Sequence, residues 1–333
     1  MPTHSSHIAS ENAPPRRRLR ADSRIEPGAS LIDRIGRTPL IRLERVFQGA
    51  NAIPDGVEVY AKAEHLNPGG SVKDRAAAAM MLEGEAIGAL TPERTILEAT
   101  SGNTGIAFAM LGAARGYRVT VCLPQNAGDE RKRTLRSLGA SIIETDPLAG
   151  TDGAQVRARA LADGSPGAYF YPDQYNNDAN WRAHFDTTAP EIWEQTLGRI
   201  THFVTGLGTS GTFVGVSRRL KQYQPAIRCI SMQPDLPLHG LEGMKHMATS
   251  TVPGILDPTL ADQAVEVDTP RAQAMTRALA REQGLLVGVS SGANVVAARD
   301  LARTLPAGSL IVTVLCDSGS RYLAETFWEE SDP

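Results

Sequence analysis

The feature that most constrains the fold of this chain is a regular alternation of short apolar runs with longer amphipathic stretches, from residue 57 onward. The apolar runs are rich in β-branched residues and predict strands, whereas the stretches between them have helical spacing. We predict strands at 57–63, 95–98, 118–123, 141–144, 202–205, 227–232 and 309–315. We predict helices at 71–87, 104–115, 129–138, 152–162, 212–223, 269–283 and 292–304. This alternation predicts an α/β fold with parallel-rich sheets flanked by helices.

Several classes of protein are disfavoured by composition. The net charge is −3, which gives no reason to expect nucleic acid or an anionic membrane as partner. No apolar run approaches the ~20 residues that span a bilayer, so we expect no membrane segment. The three cysteines are dispersed and the seven histidines lack ligand spacing, so we expect no disulfide framework and no metal site. Dispersed thiols suit a reducing cytoplasm.

Two segments lack a regular pattern. Residues 1–23 are polar and carry Arg16, Arg17, Arg18 and Arg20, but no apolar segment follows, so we predict a flexible tail rather than a secretory signal. Residues 235–265 read as an ordered loop region near a site.

A glycine-rich turn follows the predicted strand at 202–205 and opens a helix. Gly206, Gly208 and Gly211 let backbone N–H groups approach an anion, and a helix N-terminus favours negative charge. The pattern predicts a phosphate site. The same glycines also satisfy the dinucleotide motif, with Asp235 where its ribose-binding acid is expected, so an NAD site and a turn without ligand both stay open.

Lys73 follows a predicted strand and stands at the start of a predicted helix. We expect Ser71 to cap this helix and Lys73 to lie in its first turn. The helix dipole disfavours the charged form of an amine placed there, and a lowered pKa favours imine formation. The alternative is an ordinary surface lysine.

A second turn rich in hydroxyl groups, residues 98–105, lies between a predicted strand and a predicted helix. Its hydroxyl, amide and backbone donors at a helix N-terminus suit a small carboxylate. The alternative is a helix-capping turn without ligand.

Together these motifs resemble the tryptophan-synthase-β-like, or fold type II, pyridoxal-phosphate enzymes. The matching segments are 68–75, 100–105, 208–212 and 288–292, in the same order along roughly residues 32 to 327. Within these enzymes the chain is most similar to the cysteine synthase group, and the Cys316-Asp317 pair is more like cysteine synthase B than synthase A.

The resemblance implies pyridoxal 5'-phosphate as cofactor and assigns roles by motif. Lys73 would bind the cofactor covalently and move the α-proton, Asn103 would bond the ring hydroxyl, and Ser290 would face the pyridine nitrogen. The phosphate would be held by Gly208, Thr209, Ser210, Gly211 and Thr212. The substrate carboxylate would be held by Thr100, Ser101, Thr104 and Gln174.

The resemblance also implies organisation and activity. A large cofactor-binding domain would comprise residues 24–66 and 156–328, a small mobile domain would comprise 67–155, and the enzyme would be a homodimer. The expected reaction replaces the β-substituent of O-acetylserine or O-phosphoserine with sulfide, or with thiosulfate. A neutral hydroxyl at the pyridine nitrogen makes the ring a weaker electron sink, which favours prompt loss of the leaving group.

Other functions remain open at this point. The same scaffold performs cystathionine synthesis, diaminopropionate synthesis and serine or threonine dehydration. A NAD-dependent oxidoreductase and a catalytically silent binding protein are alternatives of other classes.

The donor depends on a variable region at residues 239–247. Lys245, flanked by His239 and His246, would bind the phosphate leaving group of O-phosphoserine. The alternative is a solvated loop lysine.

Overall fold

A computed structural model describes residues 30–100 and 102–330 of the chain. The predicted tail at residues 1–23, with its arginines, lies outside the described residues, and so does Ser101.

The described residues contain ten strands. They are β1 Leu40–Arg42, β2 Glu58–Ala63, β3 Thr95–Ala99, β4 Val119–Pro124, β5 Ser141–Thr145, β6 Tyr169–Phe170, β7 His202–Gly206, β8 Arg228–Pro234, β9 Gln263–Val267 and β10 Leu310–Leu315.

Nine α-helices alternate with these strands in the same part of the chain. They are α1 Lys73–Ala86, α2 Asn103–Arg115, α3 Asp129–Ser137, α4 Gly150–Gly164, α5 Asp178–Ala183, α6 Ala189–Gln195, α7 Gly211–Tyr223, α8 Thr269–Gln283 and α9 Val289–Ala302. A π-helical turn, His184–Thr188, joins α5 to α6.

The strands form two sheets. The six-stranded sheet has the order β1-β2-β10-β7-β8-β9, and the four-stranded sheet has the order β5-β4-β3-β6. Strands β1 and β2 pair in antiparallel fashion and every other pair is parallel. The predicted architecture of parallel-rich sheets flanked by helices is therefore confirmed.

Both faces of the six-stranded sheet are buried, as β10 shows. All six of its residues are buried. Ile311 and Leu315 pack with apolar residues of α8 and α9, whereas Val312 and Val314 pack with apolar residues of α7. Because successive side chains of a strand point to opposite faces, such a strand is apolar throughout.

Some elements carry too weak a pattern to be predicted from the sequence. Strands β1, β6 and β9 and helices α5 and α6 were not predicted. β9 lies at a sheet edge and its first two residues are exposed, so it lacks the apolar run of a buried strand. Ser71 is not the cap of α1: the helix begins at Lys73 after Val72, although Ser71 Oγ accepts a hydrogen bond from Lys73 N at 3.3 Å.

The predicted domain boundary between residues 155 and 156 falls inside α4. Ala154 and Ala158 of this helix pack on Leu97, Ala99 and Cys122 of the four-stranded sheet. β6, further along the chain, is the last strand of the same sheet. The division into two domains remains a prediction.

Four buried or partly buried charges connect α1 to the six-stranded sheet and to α6. Arg75 donates to Glu64 at 2.7 Å and to Glu191 at 2.7 Å. Lys62, which is fully buried in β2, contacts Glu191 at 2.6 Å. Burial by itself would raise the pKa of Glu191, but its contacts with Arg75 and Lys62 lower it to about 2. The Glu191 carboxylate is therefore ionised at neutral pH.

Arg75→Met should lower the free energy of unfolding of the holoenzyme by about 3–5 kcal/mol, because it leaves the Glu64 carboxylate buried without its cation. The matched control is Arg115→Met, since Arg115 pairs with Glu85 at 2.7 Å but is over one-third exposed. Arg115→Met should lower the free energy of unfolding by less than about 1 kcal/mol. Urea denaturation measures both variants, and equal losses would contradict a structural role for the buried cluster.

Candidate active site

Lys73 is the first residue of α1, and its side chain enters a cleft between the loops that follow β3 and β7. The turn before it is held against the end of β10, since Val72 N donates to Cys316 O at 2.8 Å. No described residue accepts a hydrogen bond from Lys73 Nζ. Burial lowers the pKa of this amine, against the opposing influence of Cys316 and Asp317. Burial thus shifts the amine toward its neutral form, which is the form that acts as a nucleophile or base.

The loop after β7, residues 207–210, leads directly into α7. Ser210 adopts a left-handed backbone with φ of 72°, and its hydroxyl is buried without a hydrogen-bond partner among the described residues. Thr209 Oγ1 accepts from Asn180 Nδ2 at 3.1 Å. A side chain at Gly208 would collide with the carbonyl of Gly243, so only glycine fits. An unsatisfied hydroxyl at a helix N-terminus suits a phosphate group.

Thr212 lies in the first turn of α7, and its hydroxyl contacts a buried histidine. His184 Nε2 and Thr212 Oγ1 are 3.2 Å apart, and His184 Nδ1 lies 2.9 Å from Thr188 Oγ1. Burial lowers the pKa of His184 to about 3, so the imidazole is neutral. The ring orients the threonine without adding charge to the loop.

The loop after β3 leads into α2 on the other side of Lys73. Thr100 Oγ1 accepts from Gly102 N at 2.9 Å, which shapes the turn. Thr104 Oγ1 donates to Gln174 Oε1 at 2.7 Å, and Gln174 Nε2 donates to Ala99 O at 2.7 Å. Thr100, Thr104 and Gln174 line the same cavity as Lys73. The structure thus places three of the residues expected to hold a carboxylate around one cavity, namely Thr100, Thr104 and Gln174.

Asn103, the first residue of α2, lies beside Lys73 in the cleft. Its Nδ2 donates to Asp317 Oδ2 at 2.7 Å, and its Oδ1 accepts from Arg321. Asp317 Oδ2 also accepts from the hydroxyl of Tyr322, whereas Asp317 Oδ1 is buried without a hydrogen-bond partner among the described residues. The Asn103 amide is therefore fixed in place. Its bond to the ring hydroxyl of the cofactor remains a prediction.

Ser290 lies in the first turn of α9 and lines the cavity that contains Lys73 and the phosphate loop. Cys316, at the end of β10, lines the same cavity. Burial raises the pKa of the Cys316 thiol to about 11, so it is protonated at neutral pH. This agrees with a structural thiol rather than a nucleophile.

Lys245 lines the part of the cleft that faces Thr104 and Gln174. It is not a solvated loop lysine, because its side chain is only 6% exposed. Its Nζ lies 2.5 Å from Asp152 Oδ1 and 3.2 Å from the carbonyl oxygen of Thr251. The cation therefore already has an anionic partner in α4. Binding of the donor's phosphate by Lys245 remains a prediction.

Several charged residues around the cleft were not found from the sequence. Arg131 of α3 pairs with Glu242 and lies 5.2 Å above the ring of Tyr322. Glu98, the fourth residue of β3, is fully buried, and burial raises its pKa to about 8. No spacing rule links these positions. The sequence offered one signal for Glu242 and Lys245, because both lie in the irregular segment 235–265, which was predicted to lie near a site.

A metal site and a membrane-spanning helix are both absent from residues 30–100 and 102–330. No group of histidine, cysteine or acidic side chains there could hold a metal ion. None of the helices in these ranges combines the length and hydrophobicity needed to cross a membrane.

Comparison with known proteins identifies the family. A family model described as pyridoxal-phosphate dependent enzyme matches residues 31–317. A cysteine synthase of Aquifex aeolicus (strain VF5) is 46% identical over 306 residues, which cover 91% of this chain and 93% of that protein. Cysteine synthase B of Salmonella typhimurium is 41% identical over 298 residues, which cover 89% and 95%. A solved structure, the O-acetylserine-dependent cystathionine β-synthase from Helicobacter pylori, matches with a TM-score of 0.83 at 37% identity and covers 90% of this chain and 98% of that one.

The chain belongs to the family of pyridoxal-phosphate-dependent enzymes, as its motifs predicted. The expected cofactor and the fold type II class are confirmed. Its curated relatives place it with enzymes of the cysteine synthase type, so the predicted resemblance is confirmed as well. The glycines that also satisfied a dinucleotide motif lie within the matched residues, which argues against the NAD alternative.

The residues of the cleft fit pyridoxal phosphate. The buried Ser210 hydroxyl lacks a partner at a helix N-terminus, where the cofactor's phosphate would be held. The Lys73 amine lies in the same cavity with no described acceptor, where the cofactor's aldehyde would react. The residues that we expect to hold the group are Lys73, Asn103, Gly208, Thr209, Ser210, Gly211, Thr212 and Ser290.

Lys73→Ala should abolish turnover and the visible absorption of the covalently bound cofactor, because the variant lacks the amine that the cofactor-binding motif and the cavity beside the phosphate loop both indicate. Borohydride reduction of the holoenzyme followed by peptide mapping checks the assignment, with Lys132→Ala as a control lysine outside the cleft. Label on a lysine other than Lys73 would contradict it.

Proposed function

We propose that the chain makes L-cysteine from O-acetyl-L-serine or O-phospho-L-serine and sulfide by β-replacement. One observation carries the proposal: the amine of Lys73, which has no hydrogen-bond acceptor among the described residues, shares one cleft with a phosphate-type loop and a carboxylate-type loop. An amino acid bound between these loops presents its α-carbon to that amine. The curated names of the relatives support the same reaction.

Bound pyridoxal phosphate supplies a conjugated ring that stabilises negative charge at the α-carbon of an attached amino acid. Lys73 then removes the α-proton and later returns it, and burial favours this role because it lowers the pKa of the amine. Thr100, Ser101, Thr104 and Gln174 hold the substrate carboxylate, and residues 208–212 hold the cofactor's phosphate. The Ser290 hydroxyl is neutral, which keeps the ring a weak electron sink and favours loss of the β leaving group.

A second candidate is a related β-replacement with another nucleophile. The Helicobacter pylori enzyme is named a cystathionine β-synthase that depends on O-acetylserine, and it shares 37% identity with this chain. Thiosulfate, homocysteine and ammonia are therefore the nucleophiles to compare with sulfide. Serine or threonine dehydration is a third reaction open to the same cofactor. The residues that bind the cofactor and amino acid do not decide among these nucleophiles.

We further propose a cytoplasmic homodimer. The three cysteines are unpaired, which suits a reducing compartment. The dimer is inferred from the family resemblance. Light scattering of the purified holoenzyme at several concentrations tests it, and a mass near 35.6 kDa would contradict it.

The activity is tested by incubating the holoenzyme with each donor and each nucleophile and identifying the products by mass spectrometry. We expect cysteine from sulfide as the fastest reaction. Pyruvate from serine, or 2-oxobutyrate from threonine, in parallel incubations without a nucleophile would indicate a dehydratase, and cystathionine formed faster than cysteine would favour the second candidate. A protein that binds cofactor without consuming any donor would support a silent binding role.

Ser290→Asp should slow the β-replacement by tenfold or more while the cofactor stays bound. A carboxylate at the pyridine nitrogen favours its protonation, and a stronger electron sink retains the α-carbon charge instead of expelling the leaving group. Single-turnover kinetics measures the rate, and visible absorption measures the bound cofactor. Ser290→Ala is the matched control, because it removes the hydroxyl without adding charge. Equal rates for the Asp variant and the wild type would show that Ser290 does not face the nitrogen.

A further inference from the structure

The substrate side of the cleft contains a lysine whose charge is already neutralised within the protein. Lys245 Nζ lies 2.5 Å from Asp152 Oδ1, and its side chain is almost fully buried. The same Nζ lies 5.1 Å from the centre of the Tyr175 ring and 3.2 Å from Thr251 O. All of these partners compete with a substrate for the ammonium group.

The backbone of Lys245 is fixed beside the phosphate loop. Lys245 N donates to Leu207 O at 2.8 Å, two residues before Thr209. Gly243, two residues earlier, approaches Gly208 so closely that no side chain fits there. The lysine therefore cannot move away from the cleft with its loop while the phosphate loop keeps its conformation.

Asp152 reaches this lysine from the first turn of α4 and is itself held by other donors. Its Oδ2 accepts from Thr251 N at 2.8 Å, and its Oδ1 accepts from Gln155 Nε2 at 3.1 Å. Burial by itself would raise the pKa of Asp152, but the bonds from Lys245 and Thr251 outweigh it and lower the pKa. The carboxylate is therefore ionised at neutral pH and the pair carries no net charge.

We propose that Asp152 determines donor specificity by keeping Lys245 from binding an anionic leaving group, so that the enzyme selects serine esters whose leaving group is uncharged before cleavage. The inference rests on the proposed function and names O-acetylserine as the donor class. A phosphate ester bound beside Lys245 would bring a near-dianion next to the Asp152 carboxylate. If Lys245 turned to the phosphate, Asp152 would lose its strongest charged hydrogen bond. An acetyl ester brings no negative charge to the Asp152 carboxylate and does not draw Lys245 away from it.

Asp152→Asn tests the proposal because it keeps the shape of the side chain and removes its charge. We expect the ratio of kcat/KM for O-phosphoserine to that for O-acetylserine to rise by about tenfold, which corresponds to roughly 1.4 kcal/mol. Calorimetry with O-phosphoserine should show tighter binding to the variant by a similar factor. The matched control is Asp163→Asn, an exposed residue on the same helix with no contact to Lys245. It should leave the ratio unchanged.

Asp152→Ser provides a second, independent arm if Asp152→Asn folds poorly, because it also removes the charge and should raise the same ratio. Lys245→Gln alone leaves the Asp152 carboxylate without its cation, so it should lower the ratio, because a negative charge repels a phosphate ester more than an acetyl ester. In the double variant Asp152→Asn/Lys245→Gln, the gain for O-phosphoserine should disappear, because no cation is left to bind the phosphate.

Three results would overturn the proposal: a wild-type enzyme that prefers O-phosphoserine, an Asp152→Asn variant with an unchanged donor ratio, or a double variant Asp152→Asn/Lys245→Gln that keeps the gain for O-phosphoserine. Failure of the proposed function looks different, because the wild type would then form no cysteine from either donor. In that case the calorimetric comparison of wild type and Asp152→Asn still decides whether Asp152 opposes phosphate binding.

Discussion

The position of the reactive lysine depends on a set of charges buried behind it. Arg75 lies two residues after Lys73 on α1, and its guanidinium bridges Glu64 after β2 and Glu191 on α6. Burying such charges costs several kcal/mol per ion, which an apolar contact would avoid. The cluster restricts the relative orientation of the elements that it connects, because a bidentate guanidinium accepts few geometries. It therefore fixes the first turn of α1 relative to the large sheet, and with it the place of Lys73.

The cleft follows from the parallel sheets. In parallel sheets the carboxyl ends of all strands lie at the same edge, and ligands bind at the crevice beyond it. The loop after β3 opens α2, the loop after β7 opens α7, and β10 ends next to Asp317. Two helix N-termini from different sheets thus face the same space, and each can hold an anion without a cationic side chain. A cofactor phosphate and a substrate carboxylate need two such places at a fixed separation.

The elements that could be predicted are those whose signal lies in neighbouring residues of the sequence. Seven of the strands were predicted from short apolar runs, and the phosphate loop was predicted from its glycines, of which Gly208 is required by the close approach of Gly243. The edge strand β9 was missed because half-exposed residues carry no apolar run. The partners of Lys245 and Arg131 were missed for another reason. Asp152 is separated from Lys245 by 93 residues, and no periodicity links positions that only the packing of two sheets brings together.

The charges around the cleft explain why its anion sites are built from neutral donors. Lys245 is matched by Asp152, and Arg131 is matched by Glu242. Arg321 donates to the Asn103 amide and to the carbonyl of Gly69 rather than into the cleft. Free cations near Lys73 would bind phosphate and carboxylate more tightly, but they would also attract any other anion. Dipoles and hydroxyl groups act at short range and with fixed direction, so they select by shape as well as by charge. Under the proposed function, the anions that bind are those whose groups match both loops at once, and such binding would place an amino acid's α-carbon beside the amine of Lys73.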